Sequence, residues 1–193
     1  MEDFESLVSE LESNSSIASI FGVLIYTDSH PNIKKVMRDE DYWRAFDEIT
    51  GEKFAVLSVK PTLGKYRYPP SPPGVLCQMV GIWKEPKDNL RLIDAFEIGS
   101  TEKLPMLLIF TRIEGEVLKI EIDLKEDDVS SAYNSIRENL EFCSKVISRI
   151  KIENLKNPEG LYAAFAMEND HRMRIKNIKN SLNLYQFVKS LLP

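Results

Sequence analysis

The sequence is poor in the residues that carry redox and metal chemistry. Among its 193 residues there are two cysteines and two histidines, and the cysteines, Cys77 and Cys143, lie far apart and form no CxxC motif. A zinc site or a local redox pair needs such side chains at close spacing, so the sequence predicts neither. We expect two reduced, mostly buried thiols, and neither a metal ion nor a cofactor.

Long apolar runs and a basic N-terminus are also absent. No segment approaches the roughly 20 consecutive apolar residues of a membrane span. The first residues, MEDFESLVSELES, are acidic where a signal peptide would be basic. The net charge of −5 argues against a dedicated nucleic-acid binder, although it is compatible with a local basic patch. These features predict a cytoplasmic protein that contacts no membrane, and they argue against nucleic acid as a partner.

The clearest pattern that is present runs from Leu104 to Leu124 and predicts a β-hairpin. Pro105 opens an apolar run, MLLIF, that is typical of a strand covered on both faces. Glu114-Gly115 supplies the turn. In the second strand apolar and polar residues alternate, so we expect one face to be buried. The other face is expected to be exposed to water and carries Val117, Lys119, Glu121 and Asp123.

Two strand patterns flank a helix earlier in the chain. The runs Ile20 to Tyr26 and Phe54 to Val59 predict buried strands, and an amphipathic helix over Glu2 to Leu11 precedes them. Between the strands, apolar residues at helical spacing predict one helix that ends at Thr50-Gly51. Its apolar stripe consists of Ile33, Val36, Met37, Trp43, Phe46 and Ile49. Together these elements predict a βαβ unit with a right-handed crossover.

A segment rich in proline and glycine follows this unit. Pro61 to Gly74 excludes a helix and an internal strand, so we expect an ordered connecting loop, with an extended recognition segment as the alternative. Val75 to Trp83 predicts a further strand or extended cover, and Pro86 to Ile98 predicts a helix. After the hairpin, Asp127-Asp128 precedes the clearest helix in the chain, whose apolar stripe runs from Val129 to Ile150.

The order of these elements from Glu2 to Glu153 resembles the thioredoxin fold. Leu104-Pro105 is similar to the cis-proline of that family, and Ser29-His30-Pro31-Asn32 lies where the family places CxxC at a helix N-terminus. The resemblance implies a three-layer α/β fold with a mixed central sheet, in which the proline-rich segment is an insertion. Ser29 and Asn32 stand at the two cysteine positions, so neither side chain supplies the thiolate that disulfide exchange needs.

The turn at Ser29 is the candidate ligand site. The N–H groups of a helix N-terminus, together with Ser29, His30, Asn32 and the expected cis-proline Pro105, could hold a small anion or a peptide carboxylate. The competing interpretation is that Asp28, Ser29 and Asn32 only cap the helix, as these residue types commonly do. No nucleophile-elbow motif accompanies the serine, so we assign no catalytic residue.

Residues 154–193 fall outside the resemblance and are expected to form an extension packed on the domain of residues 1–153. Gly160 to Met167 and Arg172 to Ile178 predict a second hairpin, with a short helix as the alternative for the alanine-rich part. Ser181 predicts the start of a terminal helix. From His171 onward there are five basic residues and no acidic one. Arg172, Arg174, Lys176 and Lys179 are therefore candidate residues for a surface that docks an acidic partner or nucleic acid. The alternative is a solvated hairpin face whose charges balance acidic residues elsewhere in the fold.

Three functions are compatible with the sequence. The first is a non-catalytic, redox-inactive binding or adaptor protein that acts through protein–protein contacts, as a monomer or a homodimer. The second is an enzyme on the same scaffold that uses Cys77 or the Ser29 turn, and it would require Cys77 to be exposed with a lowered pKa. The third is a nucleic-acid-associated protein that uses the basic C-terminal segment. We take the first as the prediction.

Overall fold

The computed structural model of the protein describes residues 2–58, 65–67, 82–84, 93, 96–114, 116–168 and 173–176. Cys77, Arg172 and Lys179 lie outside these residues. So do most of the predicted helix at residues 86–98 and the predicted terminal helix after Ser181. What the sequence predicts for them stays a prediction.

The described strands form two sheets. They are β1 (Phe21–Ile25), β2 (Val56–Ser58), β3 (Lys65–Arg67), β4 (Ile82–Lys84), β5 (Met106–Ile113), β6 (Glu116–Asp123) and β7 (Met173–Lys176). Five of them form a mixed sheet in the order β2-β1-β5-β6-β7. In this sheet β1 and β2 are parallel, and the other neighbouring strands are antiparallel. The predicted α/β class and mixed sheet are therefore confirmed.

The second sheet corrects part of the proline-rich prediction. β3 pairs antiparallel with β4 in a separate two-stranded sheet, whereas the sequence predicted a loop at residues 65–67. These three residues contain no proline, so their backbone N–H groups can take part in the pairing.

Helices pack against the larger sheet. They are α1 (Glu2–Ser13), α2 (Pro31–Val36), α3 (Glu40–Thr50), α4 (Val129–Ser148) and α5 (Pro158–Met167). Because successive strand residues point to opposite faces, the side chains of the sheet divide between two hydrophobic clusters. Leu24, Leu107 and Ile120 lie in one cluster with residues of α2, α3, α4 and α5. Phe21 and Leu108 lie in the other, which also contains Val8, Ile93, Phe96 and Ile98.

The hairpin of β5 and β6 confirms one prediction and corrects another. Met106 to Phe110 are buried on both faces of β5, as the apolar run predicts. In β6, however, Lys119 is 9% exposed and Glu121 is 0% exposed, so the face predicted to be exposed to water is buried at these positions. The reason is that the chain at Phe96 and Glu97 covers it. The Lys119 ammonium donates to the main-chain oxygens of both residues and lies 3.6 Å from a Glu121 carboxylate oxygen.

The single helix predicted between β1 and β2 is two helices. α2 ends at Val36, and Asp39 is the N-cap of α3, where its carboxylate accepts from the main-chain N–H groups of Asp41 at 3.0 Å and Tyr42 at 3.4 Å. The N-cap starts a new helix, but the apolar residues before and after it keep their helical spacing. The spacing alone therefore predicted one helix. The predicted end at Thr50-Gly51 is confirmed, since Gly51 has a φ of +59° and its N–H donates to Asp47.

The first half of the predicted second hairpin is instead a short helix, which confirms the alternative that the alanine-rich part allowed. Gly160 to Met167 belongs to α5, where the Asn157 side chain accepts from the Gly160 N–H at 3.0 Å. Most of this helix is buried, including Leu161, Ala163 and Phe165 at 0% exposure. A helix buried on all sides lacks the amphipathic period that marks a surface helix. The second half is a strand, β7, which pairs with β6 so that Arg174 lies opposite Glu121 and Lys176 opposite Lys119.

Candidate functional site

The Ser29 turn and Pro105 lie at the same end of the neighbouring strands β1 and β5. The turn follows β1 directly, and the register pairs Ile25, the last residue of β1, with Met106, the first residue of β5. Pro105 therefore lies next to the point where the chain leaves β1. The Leu104–Pro105 peptide bond is cis, as the sequence predicts.

Hydrogen bonds within the turn centre on Thr27. Its main-chain N–H donates to His30 Nδ1 at 3.1 Å, and its hydroxyl lies 2.6 Å from the Ser29 hydroxyl and 2.9 Å from the same imidazole nitrogen. Because Nδ1 accepts from a main-chain amide, the neutral imidazole carries its proton on Nε2. The Ser29 hydroxyl is hydrogen-bonded to Thr27, and the side chains of His30 and Ser29 both stabilise the conformation of the turn.

The N-terminus of α2 binds a carboxylate of the protein itself. The Glu126 side chain accepts from the N–H groups of Asn32 at 2.7 Å and Ile33 at 2.9 Å, one on each oxygen. The Asn32 side-chain amide donates to the main-chain oxygen of Glu126 at 2.9 Å. Of the remaining first-turn positions, Pro31 has no N–H and His30 donates to Thr27. The first-turn N–H groups are therefore satisfied inside the chain.

This geometry corrects the capping interpretation. The N-cap position is His30, and its side chain makes no capping hydrogen bond. Asp28 instead forms an ion pair with Lys34, and Asn32 bonds to Glu126. The sequence could not indicate this arrangement, since Glu126 lies 94 residues from Asn32. A ligand anion at these N–H groups would have to displace Glu126, and the assignment of Ser29, His30, Asn32 and Pro105 to ligand binding stays a prediction.

Cys143 is the cysteine that the structure describes. It lies on α4 at 0% exposure in the hydrophobic cluster beneath that helix. Burial raises the pKa of its thiol well above the usual range, because the apolar surroundings disfavour the charged thiolate. The predicted burial of the thiol is confirmed for this residue.

A concave surface, which we call the α3 groove, lies between α3 and the segment that leads into β2. It has a volume of about 220 Å³. Buried Leu24, Phe46, Phe54 and Leu140 form its floor, and Trp43, Asp47 and Glu52 also line it. Trp43 belongs to the predicted apolar stripe, and it packs against the hydrophobic cluster as that stripe implies. It is only half-buried, however, and also lines this groove. Helical spacing could not reveal the groove, because it depends on how α3 is placed against β2.

Trp43 is held in a defined position. Its indole N–H donates to the main-chain oxygen of Met37 at 2.8 Å, and its ring packs edge-on against Phe46, with 6.5 Å between ring centroids. The neighbouring Tyr42 stacks on Tyr133 of α4 at 4.5 Å. The Tyr42–Tyr133 contact joins α3 to α4, and the contacts with Met37 and Phe46 hold the indole in place at the wall of the α3 groove.

Comparison of the chain with protein-family models, with curated proteins and with solved structures gives no match. In the described part of the chain, no helix combines the length and apolar character that crossing a membrane requires. The same residues contain no group of three or more histidine, cysteine, aspartate or glutamate side chains placed to hold a metal ion. What bears on function is therefore the geometry of the Ser29 turn and of the α3 groove.

Proposed function

We propose that this protein is a redox-inactive, non-catalytic binding protein on a thioredoxin-like scaffold. The support for the scaffold is the order β2-β1-β5-β6, with a parallel pair at one side and an antiparallel hairpin at the other. Helices and further apolar residues cover both faces of this sheet. The proposed three-layer arrangement agrees with these observations.

The observation that carries the proposal is the Glu126 carboxylate at the N-terminus of α2. In a redox protein of this type, the N–H groups at that helix end would stabilise a thiolate. Here they stabilise a carboxylate that the chain supplies, and the residues at the cysteine positions are Ser29 and Asn32. A second negative charge at the same place would be repelled by Glu126. This arrangement favours a structural role for the turn over a catalytic one.

The α3 groove supports a role in binding. It combines an apolar floor with exposed polar residues at its rim, which is the composition of surfaces that hold side chains of a partner. At about 220 Å³ it is smaller than the roughly 300–1,000 Å³ of pockets that enclose a drug-sized molecule. A protein segment, which inserts one or two side chains, therefore fits this surface better than a cofactor does.

The proposal is tested by the size of the protein in an extract of the cells that express it. The isolated chain has a mass of 22.2 kDa. In size-exclusion chromatography of the extract we expect the protein to elute as a larger species, and the purified protein, run as a control at the same concentration, to elute as a monomer or a homodimer. Elution of the protein in the extract at the position of the purified chain would contradict a stable binding function.

A further inference from the structure

The charge around the α3 groove is one-sided. Residues 39–53 contain six acidic side chains and two basic ones, Arg44 and Lys53, in a protein whose whole net charge is −5. Both charged residues that line the groove, Asp47 and Glu52, are acidic and exposed. An adjoining depression of about 270 Å³ shares Thr50, Gly51, Glu52 and Phe54 with the groove and adds Lys53.

Neither Arg44 nor Lys53 lines the groove. Arg44 lies 3.4 Å from Asp41 on the exposed surface of α3, and it does not line the groove. Lys53 lines only the adjoining depression. The groove itself therefore presents an apolar floor beneath two carboxylates, and a bound group complements it when it is apolar at one end and cationic at the other.

We propose that the α3 groove binds a segment of a partner protein in which an arginine or lysine is adjacent to a large apolar side chain. This inference rests on the proposed binding function and names the class of partner. The apolar side chain covers Phe46, Phe54 and the indole of Trp43, and the cation lies beside Asp47 and Glu52. Because the Met37 carbonyl holds the indole in place, little side-chain entropy is lost on binding.

The test uses the full chain labelled with ¹⁵N and the peptide acetyl-Gly-Leu-Arg-Leu-Gly-amide. The chain contains two tryptophans, Trp43 and Trp83, and a Trp43→Phe variant assigns the two indole N–H signals. We expect millimolar peptide to shift the Trp43 signal in a saturable way. The same peptide with glutamate in place of arginine should cause a much smaller shift.

Matched variants test whether the carboxylates of Asp47 and Glu52 bind the peptide's arginine. Asp47→Asn combined with Glu52→Gln should weaken peptide binding by roughly threefold to tenfold, as expected for two partly exposed ion pairs. Glu48→Gln is the control, because Glu48 is exposed on the same helix as Asp47 but does not line the groove. Its effect should stay below about twofold.

Three results would overturn the proposal: no shift of the Trp43 signal, equal binding of the arginine and glutamate peptides, or equal effects of the double variant and Glu48→Gln. A Trp43 signal that moves with protein concentration alone would also overturn it, because the occupant would then be a second copy of the chain. Each of these outcomes leaves the size-exclusion result intact, so a wrong partner class is distinguishable from a wrong function.

Discussion

At the scale of single residues, Glu126 links two parts of the chain that are distant in sequence. We predict that Glu126→Ala lowers the free energy of unfolding by about 2 kcal/mol, because the N–H groups of Asn32 and Ile33 lose their charged acceptor. Urea unfolding measures the change. Asp127→Ala is the control and should cost less than about 0.5 kcal/mol, since that side chain is exposed. Equal losses of unfolding free energy in the two variants would show that the hydrogen bonds from α2 to Glu126 do not stabilise the fold.

Lys119 and Glu121 form a buried charged pair on β6, and their removal should not be additive. We predict that Lys119→Met lowers the free energy of unfolding by about 3 kcal/mol, because the main-chain oxygens of Phe96 and Glu97 lose their ammonium donor and Glu121 loses one favourable charge. Adding Glu121→Leu should recover part of that loss, since the carboxylate that faced the ammonium group is then removed as well, whereas the two main-chain oxygens still lack their donor.

Urea unfolding of the two single variants and the double variant measures the coupling at β6. Lys125→Met, at an exposed lysine, controls for the loss of a positive charge. A Lys119→Met protein as stable as Lys125→Met would contradict the structural role of the pair.

These two sites also show what residue patterns cannot predict. Alternation along β6 correctly separated its two faces, but it contained no information about the chain at Phe96 and Glu97 that covers the second face. Similarly, the residues around Ser29 include good capping types, yet the group that binds the helix N-terminus comes from Glu126. Both features depend on contacts between distant residues, which local sequence does not encode.

At the scale of elements, α5 is part of the core that α4 forms with the sheet. Phe165 packs against Phe142 of α4 at 6.3 Å between ring centroids, and Leu161 and Ala163 are fully buried in the same cluster. We predict that a chain ending at Asn157 loses cooperative thermal unfolding or becomes insoluble, because the apolar surface beneath α5 is then exposed to water.

Differential scanning calorimetry of the truncated chain tests the role of α5. The milder variant Phe165→Ala should keep the fold and lose about 3–5 kcal/mol, as large core truncations do. The exposed Met167→Ala is its control, because Met167 is 40% exposed at the end of the same helix. A truncated chain that unfolds at the temperature of the intact protein would show that α5 is dispensable.

The elements that the sequence predicts correctly are those that a local pattern of residues marks. The apolar run of β5, the Gly51 helix end and the long stripe of α4 are local patterns, and the structure confirms all three. Helical spacing predicts α2 and α3 as one helix, because a cap at Asp39 interrupts a helix without changing its apolar spacing. For α5 the sequence favours a hairpin over the short helix that the structure shows, because a helix buried on all sides has no amphipathic period.

At the scale of the whole molecule, two features support the proposed function. Glu126 occupies the N-terminus of α2, and a groove lies open beside α3. Under this proposal the first feature gives the Ser29 turn a structural role, and the second offers a surface for a partner. Cys143 supplies no accessible thiolate, because burial raises the pKa of its thiol and removes it from solvent.

The most direct test of the central claim is the rate at which the unmodified protein reduces insulin disulfides with dithiothreitol as the electron donor. We predict a rate equal to that of dithiothreitol alone, because Ser29 and Asn32 supply no thiol and the buried Cys143 forms no accessible thiolate. Cys77→Ser and Cys143→Ser variants should give the same rate. A rate that rises with protein concentration and falls to the background in Cys77→Ser would contradict the redox-inactive assignment and favour an enzyme that uses Cys77.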